Sequence, residues 1–281
     1  MNDRITQIAA LANASMYDAQ GTENYVDAAP HIKHASLRQL YAELAVEVYD
    51  YAARYSTPPR VLDMGAGEGS VTLPFLELGA QVTAVDVSQS QLAALSTRCE
   101  AFGDRLQIHC GSIEEVIRSA PGPYDIIVAN SFLHHLPDYL GLLREIMPLL
   151  SPHGQIFSFQ DPLSYASLGT FTRAYKDAAY LSWRLSTGDV IGGLLRRLRR
   201  SREGFLEDCM EDNAEYHATR GGMDQDAILE LLEGEGFDCQ IKRYFSTQST
   251  PFQKLGETWK LENTFGVIAR KKVAKNNSQS N

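Results

Sequence analysis

The sequence predicts an α/β fold: a doubly wound, mostly parallel seven-stranded sheet with an antiparallel last strand, an N-terminal helical arm and a helical cap insertion. Strand and helix periodicities alternate along the chain, which favours a parallel sheet. The strands are almost continuously apolar, as expected where helices cover both faces. The chain closes with two strands that have no predicted helix between them, which favours an antiparallel final pair.

The elements follow the chain in order. The predicted strands span residues 60–64, 81–86, 105–110, 124–130, 154–160, 237–245 and 264–270. The helices predicted among them span residues 69–79, 88–102, 113–119, 138–150 and 225–232. An earlier amphipathic helix begins at Ser36 and ends before Pro58, and we expect it to pack on the sheet. Pro148 should kink or shorten the helix over 138–150.

The 281-residue length favours one core with additions rather than two full domains. The predicted parts are an N-terminal arm and helix (1–57), a sheet domain (58–160 and 225–272), a cap (161–224) and a frayed tail (273–281). The cap is far longer than ordinary connections of about 2–6 residues, so we expect helices within it, over 171–183 and 190–216. It leaves the carboxyl end of a strand, where ligands bind in such sheets, and should cover the substrate.

Within the cap, a run of arginines precedes a run of acidic residues. They are Arg196, Arg197, Arg199, Arg200 and Arg202, then Glu203, Glu207, Asp208, Glu211, Asp212 and Glu215. One interpretation is an anion-binding patch for a phosphorylated or carboxylated substrate. We favour the other, a solvated helix whose arginines pair with acids three and four residues further on.

Composition excludes several classes of partner. A formal charge of -9 and a pI near 5.3 disfavour nucleic acid. Four scattered cysteines without C-x-x-C spacing are typical of reduced thiols and favour a cytoplasmic protein without a disulfide framework. No apolar stretch approaches the roughly 20 residues of a membrane span, and no signal segment is visible at the N-terminus, so no membrane partner is expected.

The most informative stretch runs from Arg60 to Ser70, an apolar strand followed by alternating glycines. Such glycines bring backbone N–H groups close to a ligand at a helix N-terminus. A dinucleotide motif fails because the third glycine comes one residue early, at Gly69, and a phosphate loop fails because no Lys follows. What remains is D-x-G-x-G-x-G from Asp63, with a second acid, Asp86, at the end of the next strand.

That arrangement resembles the class I S-adenosylmethionine-dependent methyltransferases of small-molecule type, and the terminal strand pair resembles their sheet. The resemblance implies S-adenosylmethionine as cofactor. In it, Asp63 would help to hold the methionine ammonium, Asp86 would accept the ribose hydroxyls, and Val87 would pack on adenine. Close backbone approach would come from Gly65, Ala66, Gly67 and Gly69.

Other positions match the family less well. Where its members usually carry an acid that takes the adenine amino group, this chain has Ser112 and Ile113, so adenine recognition falls to these two residues or to Glu114. Gln91 stands where an apolar residue often covers adenine. Asn130 should offer its backbone carbonyl to the methionine ammonium, and residues 132–136 lack the N/D-P-P-Y/F motif of amide and amino nitrogen methylation.

Catalysis of methyl transfer depends mainly on alignment, and a base is needed only for an acidic O–H or N–H. His134 and His135 follow the fourth strand and rank above His217 as candidate bases; the alternative for each is a structural histidine. No metal is expected, because no H-x-x-x-H or plain carboxylate cluster accompanies them. By resemblance, Tyr25, His31 and His34 are candidates for a lid over the cofactor.

The leading hypothesis is methyl transfer to O or N of a small organic acceptor by in-line displacement. An alternative is a cofactor-retaining enzyme that catalyses a different reaction, such as a cyclisation or rearrangement. A non-catalytic binding module is disfavoured because the glycines and Asp86 are intact. The sequence does not predict the acceptor or the oligomeric state.

Overall fold

The computed structural model describes residues 3–20, 29–119, 122–188, 190–206, 209–213 and 216–272. Its centre is a seven-stranded sheet in the order β3-β2-β1-β4-β5-β7-β6. The strands are β1 (Arg60–Met64), β2 (Gln81–Asp86), β3 (Leu106–Cys110), β4 (Tyr124–Asn130), β5 (Leu150–Pro162), β6 (Phe237–Tyr244) and β7 (Thr264–Lys271). The first five strands are parallel, and β7 runs antiparallel to both β5 and β6, which confirms the predicted fold class.

Helices cover both faces of this sheet. They are α1 (Asp3–Gln20), α2 (Pro30–Lys33), α3 (Ala35–Ala53), α4 (Thr72–Leu78), α5 (Gln89–Arg98), α6 (Ile113–Ser119), α7 (Tyr139–Ile146), α8 (Thr170–Thr187), α9 (Val190–Glu203), α10 (Met210–Asn213), α11 (Tyr216–Thr219), α12 (Gln225–Gly234) and α13 (Thr250–Thr258). Across the described ranges, no helix combines the length and the apolar character needed to cross a bilayer.

Helix α3 packs on the sheet as predicted. Ala45 and Val48 are fully buried against a core that includes Phe157 and Phe159 of β5. The ring of Tyr41 stacks on that of Phe157, with centroids 5.6 Å apart. This packing leaves the carboxyl ends of the strands open, and the order reverses between β1 and β4, where ligands bind in such sheets.

Several predicted boundaries are wrong. The connection between the last two strands contains α13, where no helix was predicted; Pro251 lies in its first turn, and Gln253 ties the helix to the Phe245 carbonyl by a 2.8 Å hydrogen bond. Residues 17–20 and 30–33 are helical: α1 continues to Gln20, and Pro30 opens α2. As predicted, the proline at 148 shortens the helix before it: α7 ends at Ile146.

The insertion between β5 and α12 is helical, but the helix predicted over 190–216 is interrupted. It ends at Glu203, and Gly204 then takes a left-handed conformation with φ 77°. The chain folds back, so Arg199 Nη2 and Arg200 Nε both lie 2.6 Å from Asp212 Oδ1. These two arginines therefore pair with an acid more than ten residues away rather than with acids one turn along the same helix.

Candidate active site

The glycine turn follows β1 and is fixed to β2. Gly65, Gly67 and Gly69 have φ values of 71°, 54° and 89°, a region that side chains other than glycine rarely adopt. A Cβ atom on Gly65 would also overlap the ring of Phe132. The Gly65 and Ala66 N–H groups donate to the Val85 carbonyl at 2.9 and 3.0 Å. The turn thus has a shape that only this glycine pattern permits.

Asp86 links this turn to the start of α5. Its Oδ2 accepts from the Gly67 N–H and its Oδ1 from the Ser88 N–H, both at 2.8 Å. Burial raises the pKa of Asp86, and these hydrogen bonds oppose the shift. Ser88 itself caps α5 by accepting from the Gln91 N–H at 3.3 Å. The carboxylate is therefore held by backbone groups at the edge of the site.

A pocket opens beside this carboxylate. It brings together eight of the predicted cofactor residues, namely Gly65, Gly67, Asp86, Val87, Gln91, Ser112, Ile113 and Asn130. Glu114, the predicted substitute at the adenine end, lines it as well. These residues come from the ends of β1, β2, β3 and β4, so the sheet topology places them on one rim.

Three predicted residues lie behind the pocket rather than on it. Asp63 is 1% exposed; its Oδ2 accepts from Thr72 Oγ1 at 2.6 Å, and burial raises its pKa to about 7. Ala66 is buried in a small cluster with Leu92 and Leu95 of α5. Gly69 lies under Leu95, whose Cγ would be 3.0 Å from an added Cβ. These three residues support the turn.

Polar atoms in the wall of the pocket indicate that it fits a polar ligand. Both amide atoms of Gln91 and Oδ1 of Asn130 are buried and lack a hydrogen-bond partner among the described residues. Both side chains line the pocket. Burying such groups unpaired is costly, so a ligand with donors and acceptors would satisfy them. Together with the glycine turn, they fit a nucleoside carrying an amino-acid tail.

Of the three candidate bases, His135 lines the pocket. Its Nε2 lies 3.3 Å from the hydroxyl of Tyr17 on α1, and the two rings meet edge to face. Burial, followed by the neighbouring His134, lowers the pKa of His135 well below its usual value. The imidazole is therefore neutral at pH 7, and one of its nitrogens can accept a proton.

His134 lies behind the pocket and contacts Asp161. Asp161 Oδ1 is 2.8 Å from His134 Nδ1 and accepts from the His134 backbone N–H at 3.2 Å. The contact depends on a register shift in β5 between Ser158 and Asp161, where Gln160 has φ 68° and its N–H donates to Tyr244 Oη at 2.8 Å. Asp161 lay outside the strand predicted over 154–160, and the sequence carries no signal for this bulge.

Burial affects both members of this pair. It raises the pKa of Asp161 and lowers that of His134. When the two groups share one proton, the pair carries no net charge, whether that proton is on the Asp161 carboxyl or on the His134 imidazole. Asp161 therefore holds the 3₁₀ turn over Leu133–His135, which presents His135 to the pocket.

The remaining candidates lie away from the pocket. His217 Nε2 is 3.3 Å from the Pro137 carbonyl, and its ring packs against Tyr139. His34 contacts the Thr247 carbonyl at 2.8 Å, and His31 is buried without lining the pocket. Tyr25, the third lid candidate, lies outside the described residues.

Within the described ranges, no group of three or more His, Cys, Asp or Glu side chains is placed to hold a metal ion.

Helix α1 forms one wall of the pocket, through residues that the sequence did not single out. Ala10, Asn13 and Tyr17 line the pocket, and Asp18 contacts the start of α5. Asp18 Oδ1 accepts from Ser88 Oγ at 2.6 Å and from Ser90 Oγ at 2.8 Å. The helix thus joins the His135 side of the pocket to the Asp86 side.

Comparison with known proteins agrees with this geometry. Residues 61–154 match the model of a family described as a methyltransferase domain. Over 154 residues the chain is 30% identical to the ubiquinone biosynthesis O-methyltransferase of Xanthomonas campestris pv. campestris (strain B100), covering 54% of this chain and 58% of that protein. Residues 61–154 are thus a methyltransferase domain.

Other similarities cover different shares of the chain. The ubiquinone biosynthesis O-methyltransferase of Bordetella pertussis (strain Tohama I) is 32% identical over 98 residues, 35% of this chain and 41% of that protein. The alignments with these two curated relatives thus span about 41–58% of the relatives' length.

Among solved structures, the fold extends over nearly the whole chain. The plantazolicin methyltransferase BamL, in complex with a triazolic desmethylPZN analog and SAH (S-adenosylhomocysteine), covers 95% of this chain and 97% of its own, with a TM-score of 0.55 and 14% identity. The [4+2]-cyclase SpnF covers 83% of this chain and 82% of its own, with a TM-score of 0.50 and 16% identity. The methyltransferase fold therefore includes the elements that flank residues 61–154.

Proposed function

We propose that the chain is a methyltransferase that transfers the methyl group of S-adenosylmethionine to an oxygen or nitrogen of a small organic acceptor, with oxygen preferred. The observation that carries the proposal is one pocket with the glycine turn and Asp86 on one side and a neutral, buried imidazole, His135, on another. The curated relatives are named as O-methyltransferases, which supports oxygen.

Each wall of the pocket has a proposed role in binding the cofactor. Asp86 accepts the ribose hydroxyls, Val87 and Ile113 pack on adenine, and Gln91 and Ser112 supply hydrogen bonds to the base. The Gly65–Gly67 backbone and Asn130 hold the methionine portion. Asp63 acts from behind the turn. Burial raises its pKa to about 7 because the carboxylate is poorly solvated, and a positively charged ammonium group nearby would stabilise it.

The cofactor, when bound, supplies an activated methyl group, and the chain's residues align the acceptor and manage its proton. His135 would take a proton from an acceptor O–H, a role worth about 10²–10⁴-fold in rate. Tyr17 Oη, 3.3 Å from His135 Nε2, would fix the imidazole or share the hydrogen bond to the acceptor. Asp161 and His134 hold the turn that carries His135.

The charge of the pocket limits the acceptor. Among its described lining residues, Asp86 and Glu114 are acidic and none is Lys or Arg. A carboxylate or phosphate on the acceptor would find no counter-charge there, so we propose an uncharged acceptor with a hydroxyl group. Helix α1 covers one side of the pocket, in keeping with a small molecule rather than a macromolecule.

A reaction other than methyl transfer remains the second candidate. The specific observation in its favour is the fold similarity to the [4+2]-cyclase SpnF, which means that this fold alone does not determine the reaction. Formation of S-adenosylhomocysteine separates the two: a methyltransferase produces it in step with product, whereas a cyclisation or rearrangement converts substrate without it.

The first experiment is titration calorimetry with S-adenosylmethionine and S-adenosylhomocysteine. We expect binding in the micromolar range, which Asp86→Ala abolishes and which the exposed control Asp104→Ala leaves unchanged. Absence of binding in the wild-type chain would refute the proposal. A panel of uncharged phenols and alcohols is then assayed for S-adenosylhomocysteine formation, where His135→Gln should lower kcat while S-adenosylhomocysteine affinity stays within about threefold.

A further inference from the structure

The exposed apolar side chains of this protein are concentrated in one region. The described part of the chain exposes fourteen large apolar side chains. Eight of them lie in residues 171–206 of the insertion, and two more lie on α13 and just after it. Scattered exposed apolar residues are ordinary, but such a concentration marks a surface that contacts something.

Helix α8 carries the clearest part of this surface. Five exposed positions of α8 carry apolar side chains: Phe171, Ala174, Ala178, Leu181 and Leu185. Its other exposed positions carry Thr170, Asp177, Tyr180, Ser186 and Thr187. The alternating spacing of the five apolar residues, by three and four positions, places them on one face of the helix. Phe171, Leu181 and Leu185 are between 52% and 63% exposed. We name the five apolar residues the α8 stripe.

The stripe continues onto a neighbouring element. The ring of Trp259, which follows α13 and is 51% exposed, lies 5.8 Å from that of Phe171. At the other end of α8, the Arg184 guanidinium lies 5.1 Å from the rings of both Tyr180 and Trp183. Tryptophan, tyrosine and arginine beside exposed leucines are the side chains typical of helices that lie in the interface of a bilayer.

The charge around this face indicates which kind of partner could bind to it. Residues 170–203, which contain α8 and α9, have eight Arg or Lys and three Asp or Glu, a formal charge of +5 in a chain of -9. Two of these cations, Arg199 and Arg200, pair with buried Asp212 on α10, and counting Asp212 lowers the excess to +4. A basic amphipathic surface on an acidic protein is complementary to anionic headgroups.

A second copy of the chain would fit the spacing of the stripe, but the net positive charge of α8 and α9 disfavours it. Heptad-like spacing is the pattern of a helix pair, yet pairing two α8–α9 units would bring two regions of net positive charge together. We therefore propose that the α8 stripe and the adjoining Trp259 dock on a membrane surface that contains anionic lipids. Such contact needs no spanning segment.

The test is co-sedimentation of the full chain with vesicles of phosphatidylcholine alone and of phosphatidylcholine with phosphatidylglycerol. We expect binding to the anionic vesicles that weakens when salt is raised to about 1 M, where charges are screened within about 3 Å. The double substitution Leu181→Ser and Leu185→Ser should weaken binding at least about tenfold. The matched control Val46→Ser with Ile108→Ser changes exposed apolar residues outside this surface and should bind like wild type.

Three results would overturn the proposal. The first is failure of the wild-type chain to bind anionic vesicles, and the second is loss of binding in the control to the same extent as in the stripe variant. The third is a concentration-dependent dimer, seen by sedimentation velocity, that the stripe substitutions abolish; the face would then be an interface between copies. Circular dichroism of each variant checks that the substitutions, all at exposed positions, leave the fold intact.

Discussion

Asp161 Oδ1 contacts both the backbone N–H and the ring Nδ1 of His134, at 3.2 and 2.8 Å, with both side chains buried. A single carboxyl oxygen at the end of β5 thereby determines the path of the chain after β4. Because the 3₁₀ turn held in this way also carries His135, a contact behind the pocket decides what faces into it.

Asp161→Ala should lower the free energy of unfolding by about 2–3 kcal/mol, since it leaves the buried backbone N–H and ring Nδ1 of His134 without their partner. Asp161→Asn retains an amide oxygen at the same place and should cost about 1 kcal/mol or less. Urea denaturation measures both. Equal losses for the two variants would show that the acceptor oxygen is not what stabilises the turn.

The contact of Asp18 with Ser88 and Ser90 holds α1 over the cofactor residues. Asp18→Ala should speed dissociation of S-adenosylhomocysteine roughly threefold to tenfold, because α1 separates more readily from α5. Stopped-flow displacement measures the rate, with Asp104→Ala as the control for loss of an exposed acid. An unchanged rate in Asp18→Ala would mean that α1 does not limit release.

Gly65→Ala should abolish S-adenosylhomocysteine binding and destabilise the fold, because the new Cβ meets the Phe132 ring at a positive φ of 71°. Gly236→Ala is the matched control: its φ is 85°, but nothing lies within 4 Å of the added Cβ. Both variants carry the backbone penalty of about 1–2 kcal/mol, so the difference between their melting temperatures reports the overlap alone. If the two lose equal stability, the close approach of Phe132 is not required.

Asp63 should make unfolding depend on pH. Burial raises the folded pKa from 3.8 to about 7, so the native state binds more protons than the unfolded chain between these values, and the free energy of unfolding falls as pH rises through this window. Asp63→Asn should remove that part of the slope, an effect of up to roughly 4 kcal/mol. Denaturation at a series of pH values compares the two chains; parallel profiles would contradict the shift.

The sequence by itself determined the parts of the protein that depend on local periodicity and on backbone conformation. Alternating strands and helices predicted the sheet, and the glycines with Asp86 predicted the turn because only glycine adopts its φ values at such spacing. Ser112 and Asn130 followed, since they stand at the ends of parallel strands that meet at one edge, whereas Glu114 was expected there only by the family resemblance.

The tertiary structure alone decided the rest. Tyr17 and Asp18 reach the site because α1 crosses it, and Asp161 meets His134 because a bulge at Gln160 changes the register of β5. Arg199 pairs with Asp212 because the chain reverses at Gly204. Each of these contacts joins residues distant in sequence through a reversal, a crossing or a one-residue shift, and such geometry leaves no periodic trace in the order of the amino acids.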